Sequence, residues 1–135
     1  MKRVWGLILV VVLLTGCVMA EKVPVCPEVM GGLPTPRIPS EICGNLVINR
    51  EGHIVDQEFR KGAKEALDIA LRERVDLVIL KAKSPSCGTK QIYDGTFSKK
   101  LIDGQGIFAS MLSETGISFK DEDDIEKEMA KVTKV

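Results

Sequence analysis

Two cysteines stand in loops built to expose a thiol. Cys26 follows Lys22-Val23-Pro24-Val25 and precedes Pro27-Glu28, and Cys87 lies in Ser84-Pro85-Ser86-Cys87-Gly88-Thr89. Each ends an extended run, adjoins proline or glycine, and has a polar companion nearby: Glu28 in one loop, Ser84 and Ser86 in the other. Proline stops a strand and glycine permits a tight turn, so such loops keep a thiol off the core. A lone cysteine is most often a small buried hydrophobe. Two at the same edge of one sheet are candidates for a disulfide, a redox pair or part of a metal site, and thiolates suit zinc and iron-sulfur clusters. No CxxC spacing selects among these alternatives.

The remaining chemistry is sparse. The only histidine, His53, follows Glu51-Gly52 in a turn and reads as solvated. One turn histidine supports no Ser-His-Asp or Cys-His arrangement, and no HExxH, Walker or GxGxxG pattern occurs. The 19 basic and 19 acidic residues cancel, so no global field and no basic stripe recommends nucleic acid as a partner. Cys17, Cys26, Cys43 and Cys87 are too few and too scattered for a disulfide scaffold.

The elements that must position these loops come next. At 135 residues and 44% hydrophobic content the chain is one domain with a modest core. Residues 31–39 hold three prolines and two glycines and read as a rigid loop. Leu46-Val47-Ile48-Asn49 and Ile54-Val55 flank a turn and suggest a small hairpin. Asp56 is an N-cap candidate for the strongest helix, in which Phe59, Ala63, Ala66, Leu67, Ala70 and Leu71 recur on one face until about Arg74. Val75 to Leu80 follows as a strand buried on both faces, which makes half of a parallel βαβ unit and puts Cys87 at a strand's C-terminal edge. Residues 104–116 form a second amphipathic helix, with Ile107, Met111 and Leu112 inward and Gly116 as its stop. A short strand over Ile117 to Phe119 leads into a charged tail, 120–135.

The N-terminus has two readings. Lys2-Arg3, the apolar run from Val4 to Leu14 and the small residues before Cys17 describe a secretory signal, and Leu14-Thr15-Gly16-Cys17 resembles the lipobox of bacterial lipoproteins. The run is shorter than the ~20 residues a membrane span needs. Alternatively, Leu7 to Leu14 is the buried first strand of a parallel sheet, with Cys17 at its ligand-binding end. The charged pair and the lipobox tip the balance toward a membrane-anchored lipoprotein over a cytoplasmic protein. The absence of a tether between Cys17 and Val23 speaks against it.

The stretch Val23-Pro24-Val25-Cys26-Pro27-Glu28-Val29-Met30-Gly31-Gly32-Leu33-Pro34-Thr35-Pro36-Arg37, then Lys83 to Gly88, then Ile92-Tyr93-Asp94-Gly95-Thr96-Phe97-Ser98, resembles the motifs of the bacterial family catalogued as domain of unknown function 523. Some members of that family are thiouracil desulfidases. The resemblance covers about Lys22 to Phe119 and implies an α/β fold, a small Rossmann-like domain with a mainly parallel sheet. It also implies a four-iron four-sulfur ([4Fe-4S]) cluster on three cysteines, with one iron free to take sulfur from a small thiolated pyrimidine. Cys26 and Cys87 match two ligand positions. Glu28 and Ser84 fall where the family's proton-handling acid and hydroxyl are expected, beside their ordinary readings as a cap and a turn hydroxyl. Thr15-Gly16-Cys17-Val18-Met19-Ala20 loosely echoes the family's first motif, but only eight residues separate Cys17 from Cys26, so the usual loop and first helix are missing. Cys43 has no matching role.

Two functions follow. One is an iron-sulfur desulfidase using Cys26, Cys87 and Cys17, with Glu28 and Ser84 catalytic. The other is a non-catalytic, membrane-tethered lipoprotein, lipidated at Cys17, with Cys26 and Cys87 as free thiols or a disulfide. Without the first helix the sheet is expected to expose apolar surface and hence to form a homodimer, bind a hydrophobic dye or aggregate.

Overall fold

A computed structural model describes residues 8–13 and 20–132. In chain order the elements are β1 (Ile8–Leu13), β2 (Ala20–Val25), α1 (Pro27–Met30), β3 (Ser40–Cys43), β4 (Leu46–Asn49), α2 (Asp56–Arg72), β5 (Leu77–Leu80), β6 (Gln91–Tyr93), β7 (Leu101–Asp103), α3 (Ile107–Thr115), β8 (Phe119–Asp121) and α4 (Glu122–Val132). The main sheet has the order β2-β1-β5-β8, and the pairs β3-β4 and β6-β7 form separate hairpins.

The α/β class expected from the sequence is found. The parallel relation is narrower than expected: β5 pairs β8 in parallel, while β1 is antiparallel to both β2 and β5. Only six residues link Leu13 to Ala20, too few for the crossover of a dozen or more that a parallel neighbour requires, so the chain returns as a hairpin. Because β1 is reversed against both its neighbours, β2 and β5 run the same way, and the segments bearing Cys26 and Cys87 leave the same edge of the sheet. The apolar run is thus a strand over Ile8–Leu13, whereas the lipobox Leu14-Cys17 lies outside the described residues. No helix among the described residues is long and apolar enough to cross a membrane.

The core lies between the sheet and the pair α2 and α3. Phe59, Ala63 and Ala66 of α2 and Phe108 and Leu112 of α3 pack with Val78 and Leu80 of β5. Each large apolar side chain so buried contributes about 1.5–3 kcal/mol. Val78 and Leu80 are buried, and Leu77 and Ile79 are half-buried, so the second face of β5 is less completely covered than its composition suggests.

Asp56 does not cap its helix. Val55 holds the N-cap position, and the Asp56 carboxylate accepts the amide of Val47 at 3.2 Å and Arg60 Nε at 2.7 Å, which ties the start of α2 to β4. Ile54 makes only an isolated bridge to Ile48, and the full partner of β4 is β3. The signal for that hairpin is Gly44-Asn45, with Gly44 at φ 62 in the first central position of a two-residue turn. The end of α3 is as expected, with Gly116 at φ 77 closing it. The last strand extends to Asp121, buried and bonded to Thr89 Oγ1 at 2.7 Å, so the charged tail begins after Asp121.

Candidate functional site

Cys26 is the last residue before α1, whose first position is Pro27; a short helix replaces the loop expected there. Proline suits that position because its missing N–H would have no partner in the first turn. α1 crosses α2 in backbone contact. A Cβ on Gly62 would lie 1.6 Å from the Pro27 carbonyl oxygen, and one on Gly31 would lie 1.8 Å from that of Glu58. Glycine at both positions is what allows α1, and with it Cys26 and Glu28, to sit where it does.

The Cys87 loop is stapled to the start of α3. The amides of Ile107 and Phe108 donate to the carbonyls of Pro85 and Ser86 at 2.9 and 2.8 Å, so the loop satisfies donors that a helix start would otherwise leave orphaned. Ser84 Oγ accepts the amides of Ser86 and Cys87, both at 3.2 Å, which rolls the loop into a turn around that hydroxyl.

Between the two cysteines runs a continuous line of side chains. Arg37 Nη2 donates to Cys26 Sγ at 3.7 Å, and Arg37 Nε is ion-paired with Glu28 Oε2. Ser86 Oγ donates to Glu28 Oε1 at 3.2 Å and lies 3.2 Å from Cys87 Sγ and 3.1 Å from Ser84 Oγ. Cys26, Cys87, Glu28 and Ser84, all named from the sequence, therefore meet in one place. Cys17 lies outside the described residues, and Cys43 is exposed at the end of β3. Cys26, Cys43 and Cys87 are all free thiols, so no disulfide joins the two loops.

Burial pushes the Cys87 thiol up to about 12; the Ser86 hydroxyl draws it down, the Glu28 carboxylate raises it further, Ser84 lowers it and Cys26 raises it. Cys87 therefore stays a thiol at ordinary pH, and the thiolate is the nucleophile. Among the described cysteines of folded, metal-free protein, iodoacetamide is expected to label exposed Cys43 first, half-buried Cys26 next, and Cys87 only after denaturation, as peptide mass spectrometry would read out.

Glu28, Arg37 and Ser84 open into a cleft of about 640 Å³, lined also by Glu41, Arg50, Lys83, Tyr93, Phe97 and Lys99. Lys83, Phe97 and Lys99 have φ of 66, 57 and 64, a conformation that costs a non-glycine residue about 1 kcal/mol or more and that gathers at functional sites. Sequence reasoning quoted Arg37 and Phe97 within motifs without assigning them roles, and it missed Glu41. An arginine nine residues from a glutamate across two prolines gives no periodic signal; only the fold brings them together.

A family model described as 2-thiouracil desulfurase matches residues 9–124. A protein of Bacillus subtilis (strain 168), the uncharacterized protein YbbK, is 39% identical over 106 residues, covering 71% of this chain and 70% of its own length. Among solved structures, the [4Fe-4S]-dependent thiouracil desulfidase TudS matches with a TM-score of 0.73 and 39% identity, over 82% of this chain and 74% of that one.

Proposed function

The chain belongs to the 2-thiouracil desulfurase family, and from that premise we propose that it removes sulfur from thiolated pyrimidines such as 2-thiouracil, using a [4Fe-4S] cluster held at Cys26 and Cys87. The observation that carries this reading is the line of contacts Cys26, Arg37, Glu28, Ser86, Cys87, two of whose members, Arg37 and Glu28, line the cleft. In the net reaction the C=S of the substrate becomes C=O: water supplies the oxygen, and its two protons leave with the sulfide.

The residues present suit such a cluster in kind. Cysteine thiolate is its usual ligand, and two thiols enter from two loops at one sheet edge. Cys87 is a buried free thiol, and metal binding releases the proton of such a group. Cys17 as the third ligand rests on the sequence motif alone. When bound, the cluster supplies a Lewis-acidic iron that polarises the carbon-sulfur bond.

The chain's own groups handle the protons. Arg37 fixes one Glu28 oxygen, so the carboxylate presents the other toward Ser86 and the cleft. Glu28 is placed to take a proton from the incoming water. Ser84 already accepts two amides and so has its own proton to give, and Ser86 lies between it and Glu28 as a relay. A proton taken at Glu28 is returned through the hydroxyls to the departing sulfur or the ring nitrogen.

The test is anaerobic reconstitution with iron and sulfide, followed by incubation with 2-thiouracil. Uracil and sulfide in equal amounts are expected. A colourless protein that holds no iron and releases no sulfide would overturn the proposal.

A further inference from the structure

Glu41 belongs to neither cysteine loop and to no part of the proton relay, yet it is a buried carboxylate, 8% exposed. One oxygen, Oε1, accepts two backbone amides of one turn, Gly95 at 3.0 Å and Phe97 at 3.1 Å. The turn it grips is unusual: Gly95, Phe97 and Lys99 all have positive φ, at 91, 57 and 64. Gly95 lies flat on β3, where a Cβ would come 2.8 Å from the Ile42 carbonyl oxygen and 3.0 Å from Cys43 Cα. Two left-handed non-glycine residues persist only when their surroundings hold them. Charge-assisted bonds from a carboxylate to amides are among the stronger devices for doing so. The Phe97 ring is held from another side by the Arg50 guanidinium, 5.9 Å from its centroid, and both Phe97 and Glu41 line the cleft that Glu28 and Ser84 enter.

We propose that Glu41 is a positioning residue for substrate recognition: it locks the 94–99 turn in its strained form so that Phe97 stands as the wall against which a planar heterocycle lies. This rests on the proposed function only for the kind of ring bound. Aromatic surface at such a wall binds a flat ring by offset stacking, a geometry that loses its value when the wall moves by an ångström or so. Releasing the turn therefore weakens binding and leaves proton handling, whose hydrogen bonds among Glu28, Ser86 and Ser84 do not pass through the turn, intact.

The test compares Glu41→Ala with Glu41→Gln in the full chain. In the alanine variant, amide hydrogen exchange at Gly95 and Phe97 is expected to rise at least about 10-fold while that of Val47 is unchanged. KM for 2-thiouracil is expected to rise about 10-fold with kcat within about 3-fold, the pattern of lost uniform binding. Glutamine keeps an oxygen that can accept both amides and is expected to restore most of both values. Calorimetric binding of 2-thiouracil supplies a readout that needs no turnover. Wild-type protein that binds the ring without desulfurating it, with binding weakened by Glu41→Ala, removes the desulfidase reading and leaves this one standing. Unchanged exchange, or faster exchange with unchanged KM and affinity, or a wild type that binds no thiouracil, overturns it.

Discussion

Glu28→Gln is expected to lower turnover of 2-thiouracil by about 10²- to 10⁴-fold, the usual contribution of a positioned acid-base group, with iron and sulfide content staying at the wild-type level. The amide oxygen of glutamine still accepts from Arg37 Nε, and its shape matches that of the carboxylate, so α1 and Cys26 keep their places. What is lost is the capacity to take a proton at the atom that faces Ser86. Arg37 also loses its counter-charge; both side chains are mostly buried, at 14% exposed for Glu28 and 16% for Arg37, so a drop of roughly 1–3 kcal/mol in stability is expected to accompany the change. Single-turnover release of sulfide, measured beside iron content on the same sample, separates the two effects. A variant with full cluster content and near wild-type turnover would show that Glu28 only holds Arg37 in place.

Gly62→Ala is expected to damage the fold and the site together. The added Cβ would lie 1.6 Å from the Pro27 carbonyl oxygen, 2.7 Å from its carbon and 2.8 Å from the Gly31 amide nitrogen. All three are backbone atoms that no rotamer change can move. Overpacking of this kind costs about 1–3 kcal/mol and occasionally more. Alanine's better helix propensity offsets only about 1 kcal/mol of that. Relief requires α1 to lift from α2, and Cys26 and Glu28 lift with it because Pro27 joins them directly. The expected result is a thermal midpoint lowered by several degrees and iron loading below half of wild type, whereas Lys64→Ala on the exposed face of the same helix changes neither. A Gly62→Ala protein with an unchanged midpoint and full iron would mean that α1 does not set the site.

Much of this site was legible because its loops are written in proline and glycine. Those residues mark Cys26 and Cys87 as leaving extended segments, and the periodicity of Phe59 to Leu71 and of Ile107 to Leu112 fixes the helices behind them. The direction of β1 was not legible, since an apolar run reads alike both ways and only the shortness of the following link decides it. β3 was hidden because Ser40-Glu41 is polar and follows Pro39, although Gly44-Asn45 announced the turn. Arg37, Glu41 and Phe97 owe their roles to contacts across 9 to 56 residues of chain, which no local pattern carries.

The most direct measurement is iron content and sulfide release from 2-thiouracil on the same anaerobically reconstituted samples of wild type and Cys87→Ala. Removing a buried thiol from the loop that faces Glu28 and Cys26 leaves the fold its serine turn and its staple to α3, so the variant should remain folded. The predicted result is a brown, sulfide-releasing wild type and a folded Cys87→Ala that is colourless and inactive. A Cys87→Ala protein that binds iron and releases sulfide as well as wild type would contradict a cluster held at this site.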